Sequence, residues 1–295
     1  MTTSNKILVC GATGQLGREV VRLLAERGHA VRVLTRDRAR AAKLGDVEVH
    51  VGDARRPDTL RGLCDGVEAV FSSVGASVSP RFGAGWRGFG AVDVPANTNL
   101  LAAARDAGVG RFVYVAAHVI PETAGFRYFA AHEEVARRVL AAPLDGRVLR
   151  PTAFFSALRP FLDMARGGGK VMVIGDGRPR SNPIHDADLA DAALDMLLAP
   201  PGEGPRERSL GGPDVLSRED IAGLACDAWG LPRRFRKLPP WLMRAGSVMM
   251  VPMSPRLSQL VRFATEVSVR DLVAPAHGQR RLGAWFCEQA KGLSA

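Results

Sequence analysis

The segment KILVCGATGQLGREV, Lys6 to Val20, limits the possible folds more than any other. An apolar run leads directly into Gly11, Gly14 and Gly17, spaced G-x-x-G-x-x-G, and then into a helical pattern. Glycines at such a junction allow a tight turn, let the backbone approach a pyrophosphate and let the helix pack on the sheet, while free N–H groups of the first helical turn face the anion. Strand, glycine turn and helix in that order predict a dinucleotide site at the edge of a parallel sheet.

Short apolar runs alternate with longer amphipathic ones through the first half. Strands are predicted at 6–10, 30–35, 47–52, 68–73, 111–116 and 147–150, helices at about 15–27, 94–107 and 127–141, and short crossovers near 39–44 and 57–62. Such alternation implies a parallel sheet covered on both faces, so the expected fold class is α/β, a Rossmann-type doubly wound parallel sheet. After Arg150 the rhythm changes. Helical patterns near 153–166, 186–199 and 217–229 enclose short strands at KVMVI and RSL, and SRED, Ser217 to Asp220, has the form of a capping box. The expected organisation is a dinucleotide-binding domain over 1–152, with segments at about 170–212 contributing to sheet and lobe connection. Residues 153–295 then form mainly a small, mostly helical substrate lobe.

At 295 residues, 46% hydrophobic and 24% charged, the chain can bury a sizeable core. No uncharged stretch approaches the roughly 18 to 20 residues of a membrane-crossing helix, and MTTSNKILVC has no apolar signal region; no membrane span and a cytoplasmic location are expected. Cys10, Cys64, Cys226 and Cys287 are far apart and the histidines scattered, so reduced thiols and no metal site are expected. Forty basic residues against thirty acidic give a formal charge of +10. Without zinc-finger or helix-turn-helix spacing, however, nucleic acid is not the expected partner.

Thr35-Arg36-Asp37-Arg38, at the end of the second strand, discriminates between dinucleotides. An acid directly after the strand would bond the ribose hydroxyls of NAD(H), whereas the guanidinium of Arg36 suits a 2′-phosphate. NADP(H) is the expected cofactor, with Asp37 the residue that speaks for NAD(H).

GATGQLG is joined by VGDARRPDTL after strand three, VFSSVGA after strand four, VLRPTAFFSAL after strand six and GDGRPRSNPIHDADLADAAL in the second half. With these motifs the chain resembles the atypical short-chain dehydrogenase/reductases of the NmrA-like NAD(P)-binding group, which includes quinone- and azo-reductase-like proteins. The resemblance spans most of the chain. It implies a cofactor held by Gly11, Thr13, Gly14, Gln15, Leu16 and Gly17, by Arg36, and by Asp53 and Ala54 near the adenine. Ser73, Val74 and Gly75 would lie along it, and Pro151, Thr152 and Phe154 on the far side of the nicotinamide, with Tyr128 near that ring. Asn182 to Ala190 would link cofactor domain and lobe. From the residues alone, Asp186 and Asp188 are as readily an N-cap and a first-turn acid.

Related reductases use a serine, a tyrosine and, four residues on, a lysine that lowers the tyrosine's pKa. Here Ala116 or Ala117 stands at the serine position and His132 at the lysine position; only Tyr128 remains. Tyr128 and His132 share a helix face and are the candidate catalytic pair, with a packing aromatic and a solvated histidine as the alternative. His118 is a further candidate, and Tyr114, inside an apolar strand, is expected in the core. Bringing a tyrosine from ~10 to ~7 takes roughly 4 kcal/mol, and a neutral histidine supplies no permanent charge toward it. Proton transfer should be weak, while hydride transfer to an activated acceptor needs only alignment. Two functions are compatible: an NADPH-dependent reductase of a small apolar or aromatic substrate such as a quinone or enone, and a non-catalytic NADP-binding redox sensor of the NmrA type.

Residues 231 to 263 hold seven arginines and lysines and no acid, and four of the eight methionines fall between Met243 and Met253. Core packing of Trp241, Leu242, Met243, Met249, Met250 and Met253 is the expectation. An adaptable lid over the substrate, or a helix lying on an anionic membrane, are the alternatives.

Overall fold

Strands apolar on both faces have to be buried on both, and the chain opens with several of them. The structure, a computed structural model, describes residues 6–75, 90–168 and 170–294. Of the motif VFSSVGA, Ala76 lies outside the described residues. The strands are β1 (Lys6–Cys10), β2 (Ala30–Thr35), β3 (Glu48–Val51), β4 (Val67–Ser72), β5 (Arg111–Val115), β6 (Asp145–Pro151), β7 (Val171–Ile174), β8 (Arg180–Ser181), β9 (Glu207–Leu210), β10 (Leu216–Ser217) and β11 (Phe235–Leu238). Seven of them form a parallel sheet in the order β3-β2-β1-β4-β5-β6-β9. The α/β expectation therefore holds.

The helices are α1 (Gln15–Glu26), α2 (Arg38–Ala41), α3 (Gly90–Asp106), α4 (Arg127–Ala141), α5 (Arg159–Arg166), α6 (Asp186–Leu198), α7 (Arg218–Asp227), α8 (Pro240–Met249), α9 (Pro255–Ser268) and α10 (Leu282–Ser294). In α1 the buried Leu16, Val20, Val21 and Leu24 make one stripe, while Arg22 on the other side is tied to Glu19 and Glu26. This stripe and the apolar face of α6 cover one side of the sheet; α3 and α4 cover the other. A third core, built on Phe155, Leu162, Val171, Ile221 and Phe286, joins α5, β7, α7 and α10 into the lobe. Ser217 and Asp220 close the capping box on α7.

Two expectations fail in the last third. β11 falls in a stretch expected to be helical, because FRKL carries two charges in four residues and becomes a strand only by pairing with β7, whereas α10 agrees with the expected helical lobe. The methionine-rich stretch is not core: Trp241, Leu242, Met249 and Met253 are exposed. α8 packs its other side on α9, where Arg244 bonds Glu266 at 3.0 Å and Ser247 is buried. Apolar composition alone does not say which side of a two-helix hairpin faces inward. Among the described residues no helix is long and apolar enough to cross a membrane.

Candidate functional site

The strand order reverses between β1 and β4, and a doubly wound sheet binds its ligand beyond the C-terminal ends at such a switch point. Gly11 leaves β1 with φ of +90°, and a methyl group there would fall 2.6 Å from Ser73 Oγ. The turn thus closes onto the loop after β4, and Ser73 N–H donates to Cys10 O at 3.0 Å. Gly17 is packed against the turn itself, since a methyl on it would stand 2.2 Å from Gly11 O. Gly14 differs: it is exposed, caps α1 without a side chain, and only Gly11 O, at 3.3 Å, lies near the place a methyl would take. With no acid in the first turn of α1, this cradle of backbone N–H groups fits a pyrophosphate. Thr13 is half-buried and Gln15 exposed, whereas Leu16 and Ala54 turn into the core and leave a ligand only their backbone.

At the end of β2 the acid and the base are sorted. Asp37 caps α2, its Oδ1 accepting from Ala39 N–H at 2.9 Å, while Arg36 is exposed and makes no ion pair among the described residues. Asp53, after β3, is clamped by Arg55 at 2.6 Å; that hydrogen bond holds its carboxyl at about 2, with a smaller contribution from the charge of Arg36. Arg36→Ala is expected to narrow the preference for NADPH over NADH by about tenfold or more, since a charged hydrogen bond to phosphate contributes ~1.5 to 3 kcal/mol. Calorimetric titration with both cofactors checks it, and equal affinities in the parent protein would reject it.

The loop Ser73-Val74-Gly75 is set from below. Ser72 Oγ donates to Asn97 Oδ1 at 2.6 Å, and Asn97 Nδ2 donates to Val74 O and Asp93 O, each at 2.9 Å. Asp93 and Asn97, both buried, stand one turn apart on α3. A methyl on Gly75 would lie 3.7 Å from the Asp93 carboxylate, and that carboxylate is 3.9 Å from His132 Nε2. His132 in turn meets Tyr128 edge-on, ring centres 4.6 Å apart. A continuous line of contacts therefore runs from the glycine turn to Tyr128.

Tyr128 and His132 do share a face, but the hydrogen bond of His132 goes elsewhere. Its Nδ1 is 2.7 Å from the hydroxyl of Tyr114, which is fully buried. With Asp93 facing Nε2, that nitrogen carries the proton, so we assign Tyr114 O–H as donor to Nδ1. Burial, and then the Arg150 guanidinium, push His132 down to about 4; burial and then Asp93 raise the Tyr128 phenol. Tyr114 is in the core as expected, and its hydroxyl in addition orients His132. Ala116 and Ala117 are buried at the end of β5, with no hydroxyl between them. His118 has a downshifted imidazole, from burial first, and its Nδ1 is buried without a hydrogen-bond partner among the described residues.

The remaining positions serve to join segments. Pro151 O accepts from His118 N–H at 2.9 Å, Thr152 Oγ1 donates to Asn182 O at 2.6 Å, and Phe154 bridges to Ile184. In the segment Asn182 to Ala190, His185 rather than Asp186 caps α6; Asp186 accepts from Ser156, and Asp188 from the N–H groups of Gln279 and Arg280. From the lobe, Phe263 of α9 packs on Tyr128 at 4.4 Å. Arg262 and Arg270 lie over Phe126 at 5.8 and 5.3 Å, and both pair with the buried Glu266. Asp93, Asn97, Phe263 and Glu266 escaped the sequence reading. The available signal was an acid and an amide at i, i+4 in an apolar helix. A cavity of about 780 Å³ opens at the opposite, N-terminal end of the strands, where Arg111 and Arg147 are committed to Asp145. It is remote from this site.

A family model described as NAD(P)H-binding matches residues 11–200. The chain belongs to the NAD(P)H-binding family, in the atypical, NmrA-like short-chain reductase group. Within it, an NAD(P)H azoreductase from Xenophilus azovorans is 30% identical over 236 residues, 78% of this chain and 76% of the relative. A divinyl chlorophyllide a 8-vinyl-reductase from Oryza sativa subsp. indica is 29% identical over 258 residues, 81% of this chain; the match spans 62% of that longer protein. Among solved structures, an NADPH-dependent quinone oxidoreductase from Escherichia coli in complex with NADPH superimposes with a TM-score of 0.70 at 19% identity, covering 98% of this chain and 100% of its own. The dTDP-glucose 4,6-dehydratase DesIV from Streptomyces venezuelae reaches 0.70 at 23% identity, covering 97% and 96%. These structural likenesses speak to the fold, and the family match carries NAD(P)H binding.

Proposed function

We propose that this family member is an NADPH-dependent oxidoreductase that reduces a small, flat, apolar acceptor such as a quinone, an enone or an azo compound. The surroundings of Tyr128 carry the proposal: aromatic walls from Phe129 and Phe263, alanines in place of a hydroxyl, and a neutral histidine in place of a lysine. Bound NADPH supplies a hydride. The glycine turn and Arg36 hold and orient that cofactor, and Phe129 and Phe263 exclude water beside the tyrosine. Tyr128, with its pKa raised, keeps its proton and offers the O–H as a hydrogen bond to the acceptor rather than as an acid. Acceptors that yield a stabilised anion, a hydroquinone monoanion or an enolate, need no full proton transfer in the hydride step and take their proton from water afterwards. Simple ketones do.

Tyr128→Phe is therefore expected to lower quinone kcat/KM less than about tenfold, well short of the ~10² to 10⁴ that removal of an effective general acid costs. NADPH oxidation across a panel of quinones, enones and azo dyes measures it; a thousandfold collapse would mean that another group activates the phenol. The missing hydroxyl and lysine also favour a second reading, a non-catalytic redox sensor. NADPH binding with no turnover on any acceptor would select it.

A further inference from the structure

α8 presents to solvent a face with no charge on it. Its exposed residues are Trp241, Leu242, Ala245, Val248 and Met249, which recur at i, i+1, i+4, i+7 and i+8 and so make a single stripe. Trp241 is 67% exposed, Val248 64% and Met249 78%, and the following turn adds Val251 and Met253, the latter at 76%. Six of the ten large hydrophobic side chains exposed among the described residues fall between Trp241 and Met253. Arg244, the one charged residue of α8, points away to Glu266. An apolar stripe of this continuity marks an interaction surface.

The charge around it selects the occupant. No acidic residue occurs between Asp227 and Glu266, and β11, which runs straight into α8, carries Arg236 and Lys237 on its exposed positions with Arg234 just before. Lys237 is tied to Glu219, whereas Arg234 and Arg236 make no ion pair among the described residues. Arg236 is five residues from Trp241, so at most roughly 18 Å of chain separates the cation from the indole. A second copy of this chain would bring the same basic surface against itself across a two-fold axis. The stripe consists of exposed side chains along one helix face, which a fluid apolar phase accommodates without a matching pocket. A helix with an apolar face, a tryptophan and flanking cations is the pattern of an interfacial helix on anionic lipid.

We propose that α8 and the turn after it dock the protein on the surface of an anionic lipid bilayer, with Trp241, Leu242, Val248, Met249 and Met253 in the headgroup–acyl boundary and Arg234 and Arg236 on the lipid phosphates. The association is peripheral. It goes beyond the reductase proposal and holds whatever the acceptor is.

Co-sedimentation of the full chain with vesicles of phosphatidylcholine, with and without one-third phosphatidylglycerol, tests it. Binding is expected to the anionic vesicles only and to weaken as salt rises. Trp241→Glu and Met249→Glu, both at exposed positions and so compatible with folding, should each weaken it at least about tenfold, because a carboxylate is costly at the apolar boundary. Arg236→Glu should weaken it without touching the apolar stripe. Thermal melting of each variant confirms the fold. Absence of binding to anionic vesicles, or binding unchanged by Trp241→Glu and Met249→Glu, would overturn the proposal. So would sedimentation velocity showing a dimer that Met249→Glu dissociates while vesicles stay unbound, since the stripe would then be a protein interface.

Discussion

A Gly14→Val variant should fold and lose NADPH affinity by about a hundredfold or more. The backbone at Gly14 has φ of −78° and ψ of 169°, which valine adopts readily, and only Gly11 O approaches the added carbon, at 3.3 Å. The fold is therefore little disturbed. The isopropyl group instead fills the cradle before the first turn of α1, displacing the pyrophosphate from N–H groups that each contribute ~1.5 to 3 kcal/mol to an anion; losing two of these accounts for about a hundredfold or more. Gly17→Ala should do the reverse. Its methyl would meet Gly11 O at 2.2 Å, so the packing of helix on turn is disrupted and the melting temperature falls. Calorimetry and thermal melting on both variants separate a ligand cradle from a packing contact. Unchanged NADPH affinity in folded Gly14→Val would place the cofactor elsewhere.

The second large effect is on stability in acid. A group whose folded pKa lies below its unfolded value contributes stability that is complete above the unfolded value and is lost as pH falls toward the folded one. For His132 that window runs from 6.5 down to about 4. Burial sets the shift, with Tyr114 from β5, Arg150 from β6 and Tyr128 on its own helix around the ring; Asp93 from α3, 3.9 Å away, pulls in the opposite direction. Allowing for Asp93, the loss is about 2 kcal/mol, less than the full shift would give. His118 and His185 are depressed as well and add to the slope, while the raised pKa of Asp186 opposes it. Urea unfolding of the parent protein between pH 7 and 4.5 should show the loss, and His132→Gln, which can still bond Tyr114, should remove the share due to His132. Parallel pH curves for the two proteins would show that His132 titrates normally.

Much of the fold could be read directly, because parallel strands are apolar on both faces and their boundaries coincide with glycines and charges. The strands at 6–10 and 30–35 and the helix at 127–141 are where the pattern puts them. Local chemistry was legible too: the capping box at Ser217 and the glycine turn depend on residues a few positions apart. Partners distant in sequence were not. Nothing near His132 announces that Tyr114, eighteen residues earlier and in a run of valines, will take its Nδ1. Asp37 is a similar case, since an acid after a strand can serve a ribose or a helix cap equally well, and at the start of α2 its side chain takes the cap. The exposure of α8 was misjudged for a related reason. Which face of an apolar helix is covered depends on what packs on it, and here α9 takes the side of Arg244 and Ser247.

The place of β9 has a consequence for biosynthesis. The seventh strand of the sheet, Glu207–Leu210, and α6, which packs beside α1 over β4, β5 and β6, both come after the chain has already passed through Phe155 and Leu162 of the lobe core. Until Leu210 has emerged, β6 is an open edge beside Arg150, and the face that Leu189, Leu194 and Leu197 will cover is bare. A ribosome-bound chain therefore passes through a stage in which a sticky parallel edge waits for its last neighbour, the situation in which chaperones hold nascent chains. A fragment ending at Thr152 would stay at that stage. The sheet and the lobe are threaded through each other, and neither can be exchanged between relatives as a cassette cut at a single peptide bond.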